Sequence, residues 1–82
     1  MDGVKVLLFG AAADQAGTRQ TELPVDNEAT IGDLWSALAE QHPGLTPMRD
    51  ILAFAVNGEY ARAEDKVSPG DELAVLPPVS GG

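Results

Sequence analysis

The 82-residue chain, with 44% hydrophobic and 22% charged residues, has the length and composition of one small folded domain and is too short for two. Its 13 acidic and 5 scattered basic residues give a net charge of −8, which disfavours nucleic acid and fits either a basic protein partner or simple solubility. Because cysteine is absent, disulfides, thiolate metal sites and iron–sulfur clusters are excluded, and any sulfur chemistry must use something other than a side-chain thiol.

The N-terminal quarter predicts two strands. The segment VKVLLF at residues 4–9 is rich in β-formers and indicates the first strand. Residues 11–17 are predicted to form a loop with a possible helical turn, and residues 18–25 a second strand hairpinned to the first.

The longest apolar run, residues 6–13, is too short to span a bilayer, and Asp2 stands where a secretory signal needs a basic residue. We therefore expect no membrane association and a cytoplasmic location.

One amphipathic helix is predicted in the middle of the chain. Thr30 and Asp33 have capping-box spacing, in which the two side chains satisfy free amide groups at the start of a helix. Apolar side chains then recur three and four residues apart, at Ile31, Leu34, Trp35, Leu38 and Ala39. The segment HPG at residues 42–44 ends the helix, and irregular structure is expected for residues 45–51. This spacing predicts that Trp35 is a core side chain and not a ligand platform.

The second half of the chain predicts three further strands. Asn57-Gly58 is a strong hairpin signal between strands at residues 52–56 and 60–62. The segment SPGD at residues 68–71 matches a type II turn, and residues 72–76 alternate as a last strand that two prolines end. A single helix covers only one face of such a sheet. The order of elements therefore predicts an α+β roll of the β-grasp, or ubiquitin-like, class with a mixed sheet.

No combination of side chains in this sequence is typical of an enzyme that acts alone. There is one histidine, no phosphate-binding loop, no HExxH motif, and no serine in a nucleophile-elbow context. His42 is expected to be a helix-end residue, and the acidic pairs Asp71-Glu72 and Glu64-Asp65 to be solvated charges in turns. We expect a chain that is non-catalytic alone and binds no metal.

The C-terminal residues carry the strongest functional signal. We predict a β-grasp domain at residues 1–76 and an extended, flexible tail at residues 77–82. Pro77-Pro78 is stiff and projects the chain away from the sheet. Gly81 and Gly82 have no Cβ, so they can thread a narrow channel and present the terminal carboxylate to another protein. A carboxylate becomes reactive only when another enzyme converts it to an acyl phosphate or thioester.

The segments VKVLLFG, AVNGE and PGDELAVLPPVSGG resemble the MoaD family, the small sulfur-carrier subunits of molybdopterin synthase. The resemblance implies that a ubiquitin-activating-type enzyme adenylates Gly82 with ATP, and that a sulfurtransferase then leaves a thiocarboxylate. It also implies that the tail enters a MoaE-like large subunit and gives sulfur to cyclic pyranopterin monophosphate, for molybdenum cofactor biosynthesis. A two-plus-two heterotetramer is implied, with no bound cofactor, since the sulfur is covalently held by Gly82. Gly81 keeps the tail narrow, and the residues that guide and seat it are Pro77, Pro78, Val79 and Ser80.

Two positions depart from the family pattern. The family often has an Arg-Glu pair where this chain has Ala13-Asp14, and an aromatic residue where Leu76 stands. A basic contact with the large subunit is therefore absent here or relocated. Strand alternation places Phe9, Tyr60 and Leu76 on solvent faces near the root of the tail, as a patch for partner contact. The alternative is that Phe9 and Leu76 are peripheral core side chains.

Three other functions fit the same tail. The chain could be a related sulfur carrier for thiamine, for cysteine or for tRNA thiolation. The segment PPVS at residues 77–80, just before the two glycines, favours the molybdopterin carrier. It could instead be a ubiquitin-like modifier whose Gly82 is joined to lysines of target proteins. As a β-grasp binding module, it would keep its function after removal of Gly81 and Gly82.

Overall fold

The computed structural model describes residues 3–77 and consists of seven strands, two α-helices and one 3-10 helix in this range. A five-stranded mixed sheet has the order β2-β1-β7-β4-β5. Its strands are β1 (Gly3–Leu8), β2 (Gln20–Pro24), β4 (Ala53–Val56), β5 (Glu59–Ala61) and β7 (Glu72–Leu76). A second, two-stranded sheet pairs β3 (Ala29–Thr30) with β6 (Lys66–Val67). The helices are α1 (Gly10–Ala16), α2 (Ile31–Gln41) and the 3-10 helix (Pro43–Ile51).

The two central strands, β1 and β7, run parallel, and every other neighbouring pair of the large sheet is antiparallel. The first and last described strands therefore lie side by side, with α2 against one face. This is the α+β β-grasp fold, and the prediction of fold class is confirmed.

Helix α2 begins and packs as its sequence predicts. Thr30 Oγ1 accepts a hydrogen bond from the Asp33 amide at 3.1 Å, and Asp33 Oδ2 accepts one from the Thr30 amide at 3.2 Å. Each capping bond satisfies an amide that the helix leaves free, which typically contributes about 1 kcal/mol. Trp35 is buried and meets Phe54 of β4 edge-to-face, with ring centroids 5.8 Å apart. Trp35 is therefore a core anchor between helix and sheet.

The core lies between α2 and one face of the large sheet. Alternate residues of β1 and β7 face it, so the strands read as buried and exposed in turn. The fully buried large side chains are Val4, Val6, Leu8, Leu23, Ile31, Leu38, Leu45, Val67, Leu73 and Val75. Within residues 3–77, no polar or charged residue is buried. The interior of this range is therefore held by apolar packing, with no buried ion pair to desolvate.

The segment predicted as a loop with a possible helical turn and the segment predicted to be irregular are both helical. Residues 10–16 form α1, with Ala12 buried and Gly17 ending the helix at a left-handed φ of 74°. The segment GAAADQA consists largely of good helix formers but shows little amphipathic pattern, so the periodicity did not reveal it. Residues 43–51 form the 3-10 helix, which Leu45 anchors in the core although Pro47 cannot donate a hydrogen bond.

Both predicted turns are confirmed by their backbone geometry. Asn57 and Gly58 have φ values of 52° and 88°, and a tight hairpin needs positive φ at both central positions. At the second turn, Gly70 has a φ of 92° and the Asp71 amide donates to the Ser68 carbonyl at 3.0 Å, as in a type II turn. Among residues 3–77, no helix is both long enough and apolar enough to cross a membrane.

Candidate docking face and tail root

The face of the sheet opposite α2 carries the predicted contact residues. Residues paired across a sheet share a face, and one row of pairs joins Tyr60 to Ala55, Ala55 to Ala74, and Ala74 to Leu7. The next row pairs Leu76 with Ala53. We call these six residues and Phe9 the docking face: Leu7, Phe9, Ala53, Ala55, Tyr60, Ala74 and Leu76.

Phe9 completes the second row from the end of β1. Leu8 pairs with Val75, and the Phe9 amide donates to the Val75 carbonyl at 3.2 Å, which brings Phe9 beside Leu76. Phe9 is 44% exposed and Tyr60 is 77% exposed, whereas Leu76 is half-buried. Both Phe9 and Leu76 follow a buried core residue, so they lie on the face away from α2 and not beneath it. The structure thus brings the three predicted contact residues to one side of the sheet.

The root of the tail leaves the sheet at the edge of this docking face. Strand β7 ends at Leu76, and Pro77 is half-buried. Gly10, at the junction of β1 and α1, lies so close to Pro77 that a Cβ on Gly10 would be 3.1 Å from Pro77 Cγ. The other predicted tail residues, Pro78, Val79, Ser80, Gly81 and Gly82, lie outside the described residues.

A shallow depression beside Phe9 is lined in part by a basic residue, Arg19, which no sequence motif indicates as a site residue. Its lining includes Ala13 of α1 and Arg19, which follows α1 in the chain and is exposed. The Arg19 carbonyl accepts a hydrogen bond from the Leu8 amide at 2.9 Å, so its backbone is fixed beside the end of β1. No local sequence pattern indicates this, because the position depends on how the chain returns after α1.

The opposite end of β7 is held by a hydrogen-bond network. Asn57 Nδ2 donates to Asp71 Oδ1 at 3.2 Å, and Asn57 Oδ1 accepts from the Glu72 amide at 3.0 Å. Asp71 Oδ2 also accepts from the Ser68 amide at 2.9 Å. The Ser68 backbone hydrogen bond, followed by the Asn57 side chain, lowers the pKa of Asp71 from its ordinary value of 3.8. This network joins two turns that are distant in sequence.

One member of each acidic pair, Asp71 and Asp65, is more than a solvated charge because its side chain accepts a hydrogen bond. Asp71 closes the turn before β7, and Asp65 Oδ2 accepts a hydrogen bond from the Arg62 amide at 2.9 Å. Such side-chain acceptors replace a backbone partner in a turn. Within the described part of the chain, no group of three or more His, Cys, Asp or Glu residues is arranged to hold a metal ion.

Comparison with known proteins decides the family. The ThiS family profile matches residues 6–82, which is nearly the whole chain. This chain belongs to the ThiS family. The molybdopterin synthase sulfur carrier subunit of Homo sapiens is 40% identical, over 96% of this chain and 93% of that protein. Small archaeal modifier protein 1 of Haloferax volcanii is also 40% identical, over 92% and 95% of the two chains. The crystal structure of SAMP1 from Haloferax volcanii has a TM-score of 0.87 and 38% identity, covering 98% of this chain and 99% of that one.

The structure shows what lies near the two places where the sequence departs from the family pattern, Ala13-Asp14 and Leu76. Among ThiS relatives, this chain resembles molybdopterin synthase sulfur carrier subunits across its length, at identities that include 40% and 36%. Ala13, where the pattern often has arginine, lines the same depression as Arg19. Leu76 keeps an apolar side chain in the row that contains Phe9, although it is not aromatic. A basic residue, Arg19, therefore lies near Ala13, and an aromatic residue, Phe9, lies beside Leu76.

Proposed function

We propose that this ThiS-family chain is the sulfur-carrier subunit of molybdopterin synthase and that its site is the C-terminal Gly82. The observation that carries the proposal is its 40% identity to the human sulfur carrier subunit, over 96% of this chain and 93% of that protein. The geometry of the fold supports it, because β7 ends within an apolar face and the chain continues past Pro77 from there. We place the carrier in the cytoplasm.

The proposed chemistry takes place on the main chain. An adenylating enzyme of the ubiquitin-activating type joins the Gly82 carboxylate to AMP from ATP and releases pyrophosphate. A sulfurtransferase then supplies the sulfur that replaces AMP, which leaves a thiocarboxylate. That group is ionised and nucleophilic at neutral pH, whereas the parent carboxylate is a poor nucleophile. No cysteine of this chain is needed, and none is present.

The docking face fits the second half of the cycle. The proposed partner is the large, MoaE-like subunit, in whose active site the thiocarboxylate gives sulfur to cyclic pyranopterin monophosphate. Phe9, Tyr60 and Leu76 would contact that subunit, since aromatic and large apolar side chains dominate interface energetics. Pro77, Pro78, Val79 and Ser80 guide and seat the tail, and Gly81 keeps it narrow. The proposed assembly is a heterotetramer with two copies of each subunit.

The test is intact-mass analysis of the full chain after incubation with ATP, the adenylating enzyme and a sulfur donor. We expect the mass change of one oxygen replaced by one sulfur at Gly82, and product formation from cyclic pyranopterin monophosphate once the large subunit is added. A chain that lacks Gly81 and Gly82 serves as the control and gains no sulfur. An unchanged mass of the full chain would remove the carrier proposal.

A second candidate is a ubiquitin-like modifier, and the 40% identity to small archaeal modifier protein 1 favours it. In that function, adenylated Gly82 is joined to lysine side chains of other proteins. Digestion of cell extracts and mass spectrometry would detect the C-terminal remnant of this chain on target lysines. A carrier for thiamine, cysteine or tRNA thiolation would share the activation step but would give no molybdopterin with the large subunit.

A further inference from the structure

The contact between Gly10 and Pro77 joins the start of α1 to the root of the tail. We propose that Gly10 is a positioning residue: the absence of a side chain at this position lets Pro77 lie against the β1–α1 junction and sets the direction in which the chain leaves the sheet. The inference rests on the proposed function, because this direction matters when Gly82 must be delivered to another protein. Gly10 does not touch the reacting atoms, so its role is exerted through Pro77.

The available space explains why residue 10 is glycine. A Cβ built on Gly10 would lie 3.1 Å from Pro77 Cγ and 3.2 Å from Pro77 Cβ. Carbon atoms in favourable contact are about 3.5–4.0 Å apart, so a Cβ here would require Pro77 to move by a few tenths of an ångström. Gly10 also has a φ of 56°, in the left-handed region that glycine adopts without a steric penalty.

The hydrogen bonds around Gly10 and Pro77 indicate which of the two residues would move. On the Gly10 side, the Phe9 amide is bonded to the Val75 carbonyl at 3.2 Å, and the Phe9 carbonyl accepts from the Ala12 amide at 3.1 Å. On the other side, Leu76 is the last residue of β7 in register, and it pairs with Ala53. Pro77 is the first residue beyond that ladder. A side chain at residue 10 would therefore be accommodated by rotation of the chain at Pro77, which redirects the tail.

Gly17, the residue that ends α1, provides a matched control. It also has a left-handed φ, at 74°, but a Cβ on Gly17 would meet nothing within 4 Å. Gly10→Ala and Gly17→Ala therefore impose a similar backbone strain, and only Gly10→Ala adds the contact with Pro77. A difference between the two variants in sulfur loading isolates that contact.

The experiment measures kcat and KM for ATP-dependent thiocarboxylation of the full-length wild type and of Gly10→Ala, Gly17→Ala, Pro77→Gly and Gly10→Ala/Pro77→Gly. We expect kcat/KM of Gly10→Ala to fall about tenfold below that of Gly17→Ala, since small misplacements of a reacting group cost rates of this order. In the Pro77→Gly background, which removes both the Cγ and the Cβ that face Gly10, the added effect of Gly10→Ala should fall below about threefold. Equal kcat/KM for the two glycine variants, or equal effects of Gly10→Ala in both backgrounds, would overturn the proposal.

A second measurement, nuclear magnetic resonance of the folded variants, needs no other enzyme. The backbone amide resonances of Leu76 and Ala53 in ¹⁵N-labelled protein should shift in Gly10→Ala and stay unchanged in Gly17→Ala. If Gly10→Ala does not fold, Pro77→Gly removes the contact from the other side, and wild-type kcat/KM for Pro77→Gly would overturn the proposal. A wild-type chain that gains no sulfur would instead overturn the proposed function itself, so the two failures are distinguishable.

Discussion

The two ends of strand β7 differ in what holds them. At the Asp71 end, side chains and backbone groups of two turns are joined by hydrogen bonds of 2.9 to 3.2 Å. At the Leu76 end, the neighbouring side chains are apolar and partly exposed, and the chain continues through Pro77. One strand is therefore fixed by hydrogen bonds at its start and bordered by partly exposed apolar side chains at its finish, where we propose that the partner binds. We infer that substitutions at the first end change stability, whereas substitutions at the second change binding.

The largest expected effect is on the docking face, at Tyr60, which lies level with Ala74 halfway along β7. Tyr60→Ala, at a side chain that is 77% exposed, should weaken binding to the proposed large subunit by about 2–3 kcal/mol, since aromatic side chains at an interface are often hot spots. Its free energy of unfolding should change little, because it has little packing to lose. Isothermal titration calorimetry measures the affinity. Lys5→Ala, on the same face but towards the Asp71 end, is the control and should cost less than about 0.5 kcal/mol. Wild-type affinity for Tyr60→Ala would contradict the docking face.

A somewhat smaller effect, on stability alone, is expected at the fixed end. Asn57→Ala loses the hydrogen bonds to Asp71 and Glu72 and puts alanine at a φ of 52°, so it should lower the free energy of unfolding by about 2 kcal/mol. Urea denaturation measures this. Asn57→Gly keeps the backbone freedom but loses the same hydrogen bonds, so its cost should be smaller. A loss of affinity for the large subunit in either folded variant would show that the two ends are not independent.

The smallest expected effect is the dependence of stability on pH at the same end. The pKa of Asp71 is lowered in the folded chain, so the unfolded chain binds the proton more readily. The stabilisation is therefore present above pH 3.8, the ordinary value, and is lost as the pH falls through the lower folded-state pKa. Asp71→Asn should flatten this part of the curve when unfolding is measured at a series of acidic pH values. A curve that keeps its full slope in Asp71→Asn would contradict the assignment.

The sequence predicted the parts of the fold that depend on local signals. Thr30 and Asp33 located the start of α2, and Asn57-Gly58 located the hairpin, because each pattern satisfies a requirement within a few residues. The docking face followed from the two-residue period of strands, which sorts Leu76 and Phe9 from the core residues that precede them. The partner contacts assigned to these side chains stay predictions.

Other features depend on contacts between distant segments. Strands β3 and β6 are two residues each, too short to show alternation. The Asn57–Asp71 hydrogen bond and the Gly10–Pro77 contact exist only because the β4–β5 turn and the β1–α1 junction meet opposite ends of β7. No pattern within either segment indicates such a meeting. The sequence therefore did not indicate Gly10, the residue that lies against Pro77.

The parallel pairing of β1 with β7 has a practical consequence for labelling the protein. Because the two strands run in the same direction, Gly3 lies at the Asp71 end, where its carbonyl accepts a hydrogen bond from the Gly70 amide at 2.9 Å. A fluorescent reporter or purification tag fused ahead of Gly3 would therefore emerge far from Pro77 and leave the docking face uncovered. The same fusion after Gly82 would convert the terminal carboxylate to an amide and abolish the proposed chemistry.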